Sequence, residues 1–152
     1  MLTIGSVAPA ISLPDATGAT QTLASFSGRK VFVYFYPRAN TPGCTQQGCA
    51  IQSAIASSEV TDVVVLAISR DKPAALTKFA DKYGFEFVLL SDVDHAVAEA
   101  YGAWGQKKNY GKEYVGIIRS AVLVDEKGRV AAAWPAISPK ATVPELVAAL
   151  AA

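Results

Sequence analysis

Residues 31–44 read VFVYFYPRANTPGC. The first six residues of this stretch are all apolar or aromatic, which is typical of a strand that is buried on both faces of a sheet. Residues 63–68, VVVLAI, repeat the pattern. Between the two runs, residues 44–58 place small apolar side chains at partly helical spacing. The stretch therefore predicts a β-α-β unit that contains two central strands.

A second helix, a third strand and a short third helix are predicted downstream of this unit. Pro73 stands where a first helical turn favours proline, and Gly84 is a typical helix stop. Residues 87–90 predict a strand. We expect Asp94 to cap a short helix that runs through Tyr101.

The last third of the chain predicts a loop, a hairpin and a C-terminal helix. Glycine and lysine residues within 103–116 indicate a loop. Residues 121–125 and 130–134 flank a three-residue turn that ends in glycine, which is a hairpin signal. Thr142 with Glu145 predicts a capping box at the start of a helix. The order of elements predicts an α/β protein with a thioredoxin-like sandwich, in which helices flank a central mixed β-sheet.

The composition is that of a globular protein without a nucleic-acid or membrane partner. The 152 residues are 51% hydrophobic and 18% charged, with a formal net charge of +1. Basic residues are spread along the chain, so no phosphate-binding stripe is expected. The amino terminus lacks the features of a signal peptide, and the apolar stretches are too short to span a membrane. No repeat or linker divides the chain, so we expect one domain over residues 1–152 and a cytoplasmic location.

The cysteine and histidine content limits the kinds of metal or redox site that the chain can form. The chain contains two cysteines, Cys44 and Cys49, and one histidine. Together they do not complete a four-ligand zinc site, and a permanent disulfide is uncommon in a reducing compartment. We therefore expect no metal and no cofactor. Redox chemistry and inert burial of the thiols remain as the two interpretations.

Cys44 lies at the junction of the first central strand and the following helix. Ligands usually bind at such strand ends in an open α/β sheet. The free N–H groups and the dipole of a first helical turn favour the thiolate over the thiol, so Cys44 is placed to be a nucleophile. Thr41 and Arg38, or another arginine, could donate hydrogen bonds to a bound substrate. The alternative is a cysteine that is buried as a small apolar side chain.

Cys49 follows Cys44 by five positions. On an ideal helix their Cα atoms would be about 8.6 Å apart, whereas a disulfide requires less than about 7 Å. The two cysteines could thus remain thiols in an intact helix and form a bridge only after its first turns unwind. A permanent structural bridge is the weaker alternative, and the spacing excludes a Cys-x-x-Cys dithiol.

Residues 35–45, FYPRANTPGCT, with Cys49 after them, closely resemble the peroxiredoxins, specifically the peroxiredoxin Q or bacterioferritin comigratory protein subfamily. The resemblance covers nearly the whole chain and implies the peroxiredoxin form of the thioredoxin-like fold. The further matching segments are residues 5–9, 28–30, 90–92, 101–102 and 119–125.

The resemblance implies a role for each of five residues. Cys44 is similar to the peroxidatic cysteine, which attacks the O–O bond of a peroxide and becomes a sulfenic acid, and Cys49 is similar to the resolving cysteine. Thr41 resembles the hydroxyl donor to the peroxide, and Pro37 resembles the proline that shields the site from water. Arg119 resembles the distant arginine that stabilises the thiolate and the transition state. Without the resemblance, Arg119 is a solvated charge at a strand edge.

The implied activity is that of a thiol-dependent peroxidase, an antioxidant enzyme that reduces hydrogen peroxide and organic hydroperoxides. An intramolecular disulfide would resolve its sulfenic acid, and a dithiol donor such as thioredoxin or a glutaredoxin-like protein would recycle it. Because both cysteines lie on one predicted helix, we expect a functional monomer. Gln47 departs from the family pattern, since many members carry a glutamate there, and any charge-dependent role of this position is open.

Two other functions are compatible with the predicted fold. One is a general thiol-disulfide oxidoreductase, which the absence of a Cys-x-x-Cys motif disfavours. The other is a non-catalytic thioredoxin-like binding domain in which the cysteines are incidental. A peroxidase loses its thiols at near-stoichiometric hydrogen peroxide, whereas the two alternatives do not.

Overall fold

The computed structural model describes residues 2–109 and 111–152, and over these residues the chain forms nine strands and four α-helices. A 3₁₀ turn at Leu23–Phe26 precedes the third strand. In chain order the elements are β1 (Ser12–Pro14), β2 (Thr20–Thr22), β3 (Lys30–Phe35), α1 (Pro42–Ala56), β4 (Val63–Ser69), α2 (Pro73–Tyr83), β5 (Val88–Ser91), α3 (Ala96–Ala100), β6 (Trp104–Asn109), β7 (Lys112–Ile117), β8 (Ser120–Val124), β9 (Val130–Trp134) and α4 (Thr142–Ala151).

Five strands form the central sheet in the order β5-β4-β3-β8-β9. β3 lies in the middle, where it pairs in parallel with β4 and antiparallel with β8. β5 continues the parallel half, and β9 continues the antiparallel half. The predicted mixed sheet is confirmed, and both apolar runs of the sequence form its central strands.

Alternate side chains of β3 point to the two faces of the sheet, as the period of a strand requires. Phe32 and Tyr34 pack with buried residues of α1, α2 and α4 on one face. Val33 and Phe35 pack on the other face with α3 and with the amino-terminal segment. Both faces are therefore covered, which explains why the strand is apolar throughout. None of the helices in the described residues has the length and hydrophobicity that a membrane span requires.

Helix α1 begins two residues before the predicted start. Thr41 is the N-cap residue with an extended backbone, and Pro42 is the first helical residue. Proline favours this position because its fixed φ suits a helix and its missing N–H would have no partner there. Cys44 consequently lies in the first turn of the helix.

The loop predicted at 103–116 is wrong, because β6 and β7 form an antiparallel hairpin there. Trp104 faces Ile117 at its base, and Gly111 has a φ of 80° at its turn. The exposed side chains of the hairpin do not alternate between apolar and polar, so the sequence carries no strand period. Backbone pairing holds the strands together. Tyr110, within the predicted loop, lies outside the described residues.

The prediction that Asp94 is the N-cap residue of α3 is wrong. His95, with a φ of 54°, precedes α3, and the helix ends at Ala100. The fully buried carboxylate of Asp92 accepts the N–H groups of Val97 and Ala98 at 3.3 and 2.8 Å. Asp94 accepts the N–H of residue 96 at 3.2 Å. A buried carboxylate needs such donors, and these N–H groups supply them.

The capping box predicted at Thr142 and Glu145 is also wrong, although α4 begins where it was expected. The buried Thr142 hydroxyl donates to the carbonyl of Ser138 at 2.9 Å. The carboxylate of Glu145 accepts the indole N–H of Trp134 at 3.1 Å. Both side chains thus bind partners outside the helix.

We predict that Gly48→Ala destabilises the protein. A Cβ atom on Gly48 would lie 2.6 Å from Cζ of Phe85, which is itself 4.9 Å and 5.0 Å from the rings of Phe79 and Phe87 by centroid distance. We expect a loss of about 1–3 kcal/mol in the free energy of unfolding, because the aromatic cluster must move. Denaturant titration measures it.

Ser53→Ala, at an exposed position of the same helix, is the matched control and should change stability little. Gly48→Ala/Phe85→Leu should lose less stability than the two single changes combined, because the shorter side chain removes the clash. An unaltered unfolding midpoint for Gly48→Ala would contradict the prediction.

Candidate active site

The register between β3 and β8 brings two distant parts of the chain to one end of the sheet. Phe35, the last residue of β3, pairs with Ser120, the first residue of β8. Arg119 therefore stands beside the point where the chain leaves β3 and turns into α1. Sheet pairing rather than proximity in sequence places Arg119 next to Cys44.

The guanidinium of Arg119 contacts the thiol of Cys44 directly. Its Nη2 atom lies 3.4 Å from Sγ, across 75 positions of the sequence. Cys44 is 3% exposed, and both cysteines are free. The sulfur atom thus lies against a guanidinium group and belongs to a residue in the first turn of a helix.

Gln47 holds the other side of the guanidinium. Arg119 Nη1 donates to Gln47 Oε1 at 2.6 Å, and Gln47 Nε2 donates to Thr142 Oγ1 at 2.9 Å. Gln47 is completely buried, and its amide has a partner at each end. No carboxylate among the described residues lies within salt-bridge distance of Arg119. The guanidinium therefore keeps its positive charge uncompensated beside Cys44.

Sequence reasoning singled out Gln47 only as a departure from a pattern, and it did not connect Thr142 with the site. One signal was available for Gln47. Positions three apart on a helix share a face, so a glutamine three residues after Cys44 faces the same way. For Thr142 the sequence contains no such signal, because α4 meets α1 only in the folded protein.

The other predicted site residues, Thr41, Arg38 and Pro37, differ in their contacts and in their exposure. The hydroxyl of Thr41 donates to the carbonyl of Arg38 at 2.8 Å, and the Arg38 side chain is exposed. Pro37 is half-buried and lines a cleft that Arg119 also lines. Arg119, rather than Arg38, is thus the arginine that contacts Cys44.

The cleft beside the site has a volume of about 580 Å³. The β6–β7 hairpin contributes Lys107 to it, and Ile118 and Ile137 supply apolar surface. Burial lowers the pKa of the Lys107 ammonium, the Arg119 cation lowers it further, and Cys44 opposes the shift. Three basic side chains, Lys107, Lys108 and Arg119, therefore line this cleft, and Arg119 is the one that contacts the thiol.

Cys49 lies on the same intact helix as Cys44 and is half-buried. The described helix runs without interruption through both residues. Helix geometry keeps their Cα atoms about 8.6 Å apart, beyond the reach of a disulfide. The two cysteines therefore cannot bridge in this conformation.

A mixed sheet with helices on both faces, and a free cysteine in the first turn after its central strand, define a thioredoxin-like thiol enzyme. The chain belongs to the AhpC/TSA family, whose model matches residues 4–133. Peroxiredoxin Bcp of Escherichia coli is 46% identical over 129 residues, which are 85% of this chain and 83% of the relative.

Solved structures show the same fold. The Xanthomonas campestris bacterioferritin comigratory protein has a TM-score of 0.85 and 32% identity, covering 93% of this chain and 90% of that one. A Xylella fastidiosa PrxQ variant has a TM-score of 0.90 and 27% identity, covering 99% and 96%. The resemblance to the peroxiredoxin Q subfamily and the thioredoxin-like fold are confirmed. The protein is a peroxiredoxin, an antioxidant peroxidase that acts on peroxides and uses a thiol reductant.

We predict that Arg119→Met slows the reaction of Cys44 with hydrogen peroxide about 100-fold, because a donor and a charge are lost beside the reacting sulfur. Methionine keeps much of the length of the side chain. The rate is measured by rapid mixing, acid quenching and mass spectrometry of the thiol. Arg38→Met, which removes an exposed arginine of the loop between β3 and α1, is the control and should react like the wild type. Equal rates for both variants would contradict the prediction.

Proposed function

We propose that the protein reduces hydrogen peroxide and organic hydroperoxides in a two-cysteine cycle within one chain. Cys44 is the peroxidatic cysteine and Cys49 the resolving cysteine. The observation that carries the proposal is the contact of 3.4 Å between Arg119 Nη2 and Cys44 Sγ at the start of α1.

In the first step, the Cys44 thiolate attacks the terminal oxygen of the hydroperoxide. A bond forms between sulfur and oxygen, the O–O bond breaks, and the departing oxygen takes a proton and leaves as water or an alcohol. Arg119 stabilises the thiolate and the charge that develops on the departing oxygen. Thr41 turns its hydroxyl from the carbonyl of Arg38 to the bound peroxide, and Pro37 limits access of water.

In the second step, the thiol of Cys49 attacks the sulfenic acid of Cys44. A disulfide forms and water leaves, so the two electrons given to the peroxide come from the two thiols. This step requires α1 to unwind between the cysteines. Gly43 and Gly48 lie within or beside that segment, and glycine weakens a helix because it loses more backbone freedom on folding.

The site and its relatives support the proposed substrate range and reductant. The apolar walls at Ile118 and Ile137 are suited to an alkyl group, and a structure of the Xanthomonas campestris relative is described in connection with alkyl peroxide reduction. A dithiol donor, thioredoxin or a glutaredoxin-like protein, reduces the disulfide by exchange. Because no second subunit is needed for the cycle, the enzyme works as a monomer, and a reducing cytoplasm suits it.

Cys44→Ser should abolish peroxide turnover with the fold intact, because a hydroxyl is far less acidic than a thiol. Cys49→Ser should reduce one equivalent of peroxide and then stop as a sulfenic acid that further peroxide oxidises. Intact mass and non-reducing gels of peroxide-treated protein measure both. The wild type should lose two hydrogens and migrate as a monomer. A covalent dimer as the main product would mean that Cys49 resolves another chain.

Thioredoxin with its reductase should sustain turnover, because an exposed disulfide formed by local unwinding is accessible to a dithiol. The assay follows NADPH consumption with peroxide as the oxidant, and glutaredoxin with glutathione is the parallel arm. The Cys49→Ser variant serves as the control that offers no intramolecular disulfide to reduce. Turnover with neither system would exclude both donors.

A further inference from the structure

The loop between β3 and α1, residues 37–41, is hydrogen-bonded to the segment that connects β4 to α2. The backbone N–H of Ala39 donates to Oδ2 of Asp71 at 2.7 Å. Asp71 is 32 positions away in sequence and lies at the same end of the sheet as the active site. The loop carries Pro37 and Thr41 and leads into the first turn of α1.

Asp71 is itself tied to the core of the sheet. The hydroxyl of Ser69, at the end of β4, donates to the same Oδ2 atom at 2.7 Å and also accepts the N–H of Asp71 at 3.3 Å. The hydroxyl of Ser91, at the end of β5, donates to the carbonyl of Asp71 at 2.6 Å. Ser69 and Ser91 are 0% and 2% exposed. The acceptor for Ala39 therefore has a fixed position relative to the sheet.

A second attachment lies at the exposed side of the loop. Asn40 has a φ of 62°, and its Oδ1 accepts hydrogen bonds from Tyr83 and Lys82 of α2 at 3.1 and 3.4 Å. These contacts restrain a side chain, whereas Asp71 restrains the backbone of the loop. The hydrogen bond to Asp71 acts on the main chain of the loop itself.

We propose that Asp71 is a positioning residue of this peroxidase. Through Ala39 it holds the loop that presents Thr41 and the first turn of α1, so that Cys44 faces Arg119. Release of this bond is an early event in the opening that lets Cys44 reach Cys49. The second part rests on the proposed two-cysteine cycle, whereas the first concerns only the reaction of Cys44 with peroxide.

The hydrogen bond between Ala39 and Asp71 can break and form again as the loop moves. Its acceptor, Asp71, is half-buried, so water can replace the N–H group when the loop moves. The bond is polar, and breaking it need not expose the apolar residues below α1. Local openings of a fold occur preferentially where few apolar contacts are lost.

Three substitutions separate the geometry of the acceptor from its charge. Asp71→Ala removes the acceptor, and Asp71→Glu keeps the charge but moves it by one methylene. Asp71→Asn can place its amide oxygen where Oδ2 accepts both hydrogen bonds, since Oδ1 accepts none from the described residues. Alanine and glutamate should slow the first oxidation of Cys44 by about 10- to 100-fold, as expected for a displaced reacting group. Asparagine should restore most of the rate.

Asp125→Ala is the matched control. The Asp125 carboxylate accepts two backbone N–H groups, from Lys127 and Arg129, both at 2.9 Å in the turn between β8 and β9. Its loss should destabilise the fold in a comparable way without touching the loop at 37–41. We expect its rate of Cys44 oxidation to remain that of the wild type.

Rapid quenching with mass spectrometry separates thiol, sulfenic acid and disulfide over time in each variant. In Asp71→Ala the first step should slow while formation of the disulfide from the sulfenic acid is as fast as in the wild type or faster. A variant that is only less stable would not slow the first step while leaving the second step as fast as in the wild type or faster. A wild-type first step in both Asp71→Ala and Asp71→Glu would overturn the proposal.

Two further outcomes would also overturn it: equal slowing by Asp71→Asn and Asp71→Ala, or equal slowing by Asp71→Ala and Asp125→Ala. The glutamate variant keeps a charged side chain at a half-exposed position and tests the proposal even where alanine prevents folding. A wild type that oxidises Cys44 without forming the disulfide would refute the two-cysteine cycle. The comparison of first-step rates would still decide the role of Asp71.

Discussion

The antiparallel pairing of β3 with β8 is the constraint on which the site depends. It aligns Phe35 with Ser120, and thereby sets Arg119 beside the chain that leaves β3 and re-enters as α1. The guanidinium reaches Cys44 because both are attached to neighbouring strands of one rigid sheet. The paired strands bury apolar side chains on both faces of the sheet. The burial that stabilises the sheet therefore also fixes the position of the Arg119 guanidinium.

A half-buried arginine beside a thiol needs polar partners, and a neutral amide supplies one here. Gln47 accepts from Arg119 through its oxygen and donates to Thr142 through its nitrogen, so no polar atom of the amide lacks a partner. A carboxylate at this position would compensate the guanidinium charge. The amide orients the guanidinium and leaves its charge directed at Cys44. Thr142 also joins α4 to the site, which explains why it does not cap its own helix.

Helix α1 has to satisfy two opposing requirements under the proposed cycle. An intact first turn places Cys44 against Arg119, whereas the disulfide requires the same turn to open. The middle of the helix is fixed by buried apolar contacts at Ile51 and Ala54. Its amino-terminal end is held by polar contacts, among them the hydrogen bond between Ala39 and Asp71. Polar contacts near solvent exchange with water more easily than buried apolar contacts, so opening can be confined to that end.

The sequence by itself determined the two central strands, the bounds of α2 between Pro73 and Gly84, and the place of Cys44 at a strand-to-helix junction. These features depend on apolar runs, proline and glycine, whose effects act over a few residues. Only the tertiary structure decided the hairpin at 104–117, the partners of the capping side chains, and the contact between Arg119 and Cys44. Backbone pairing and side-chain contacts between residues far apart in sequence leave no local pattern, because each depends on a surface that exists only after the sheet has formed.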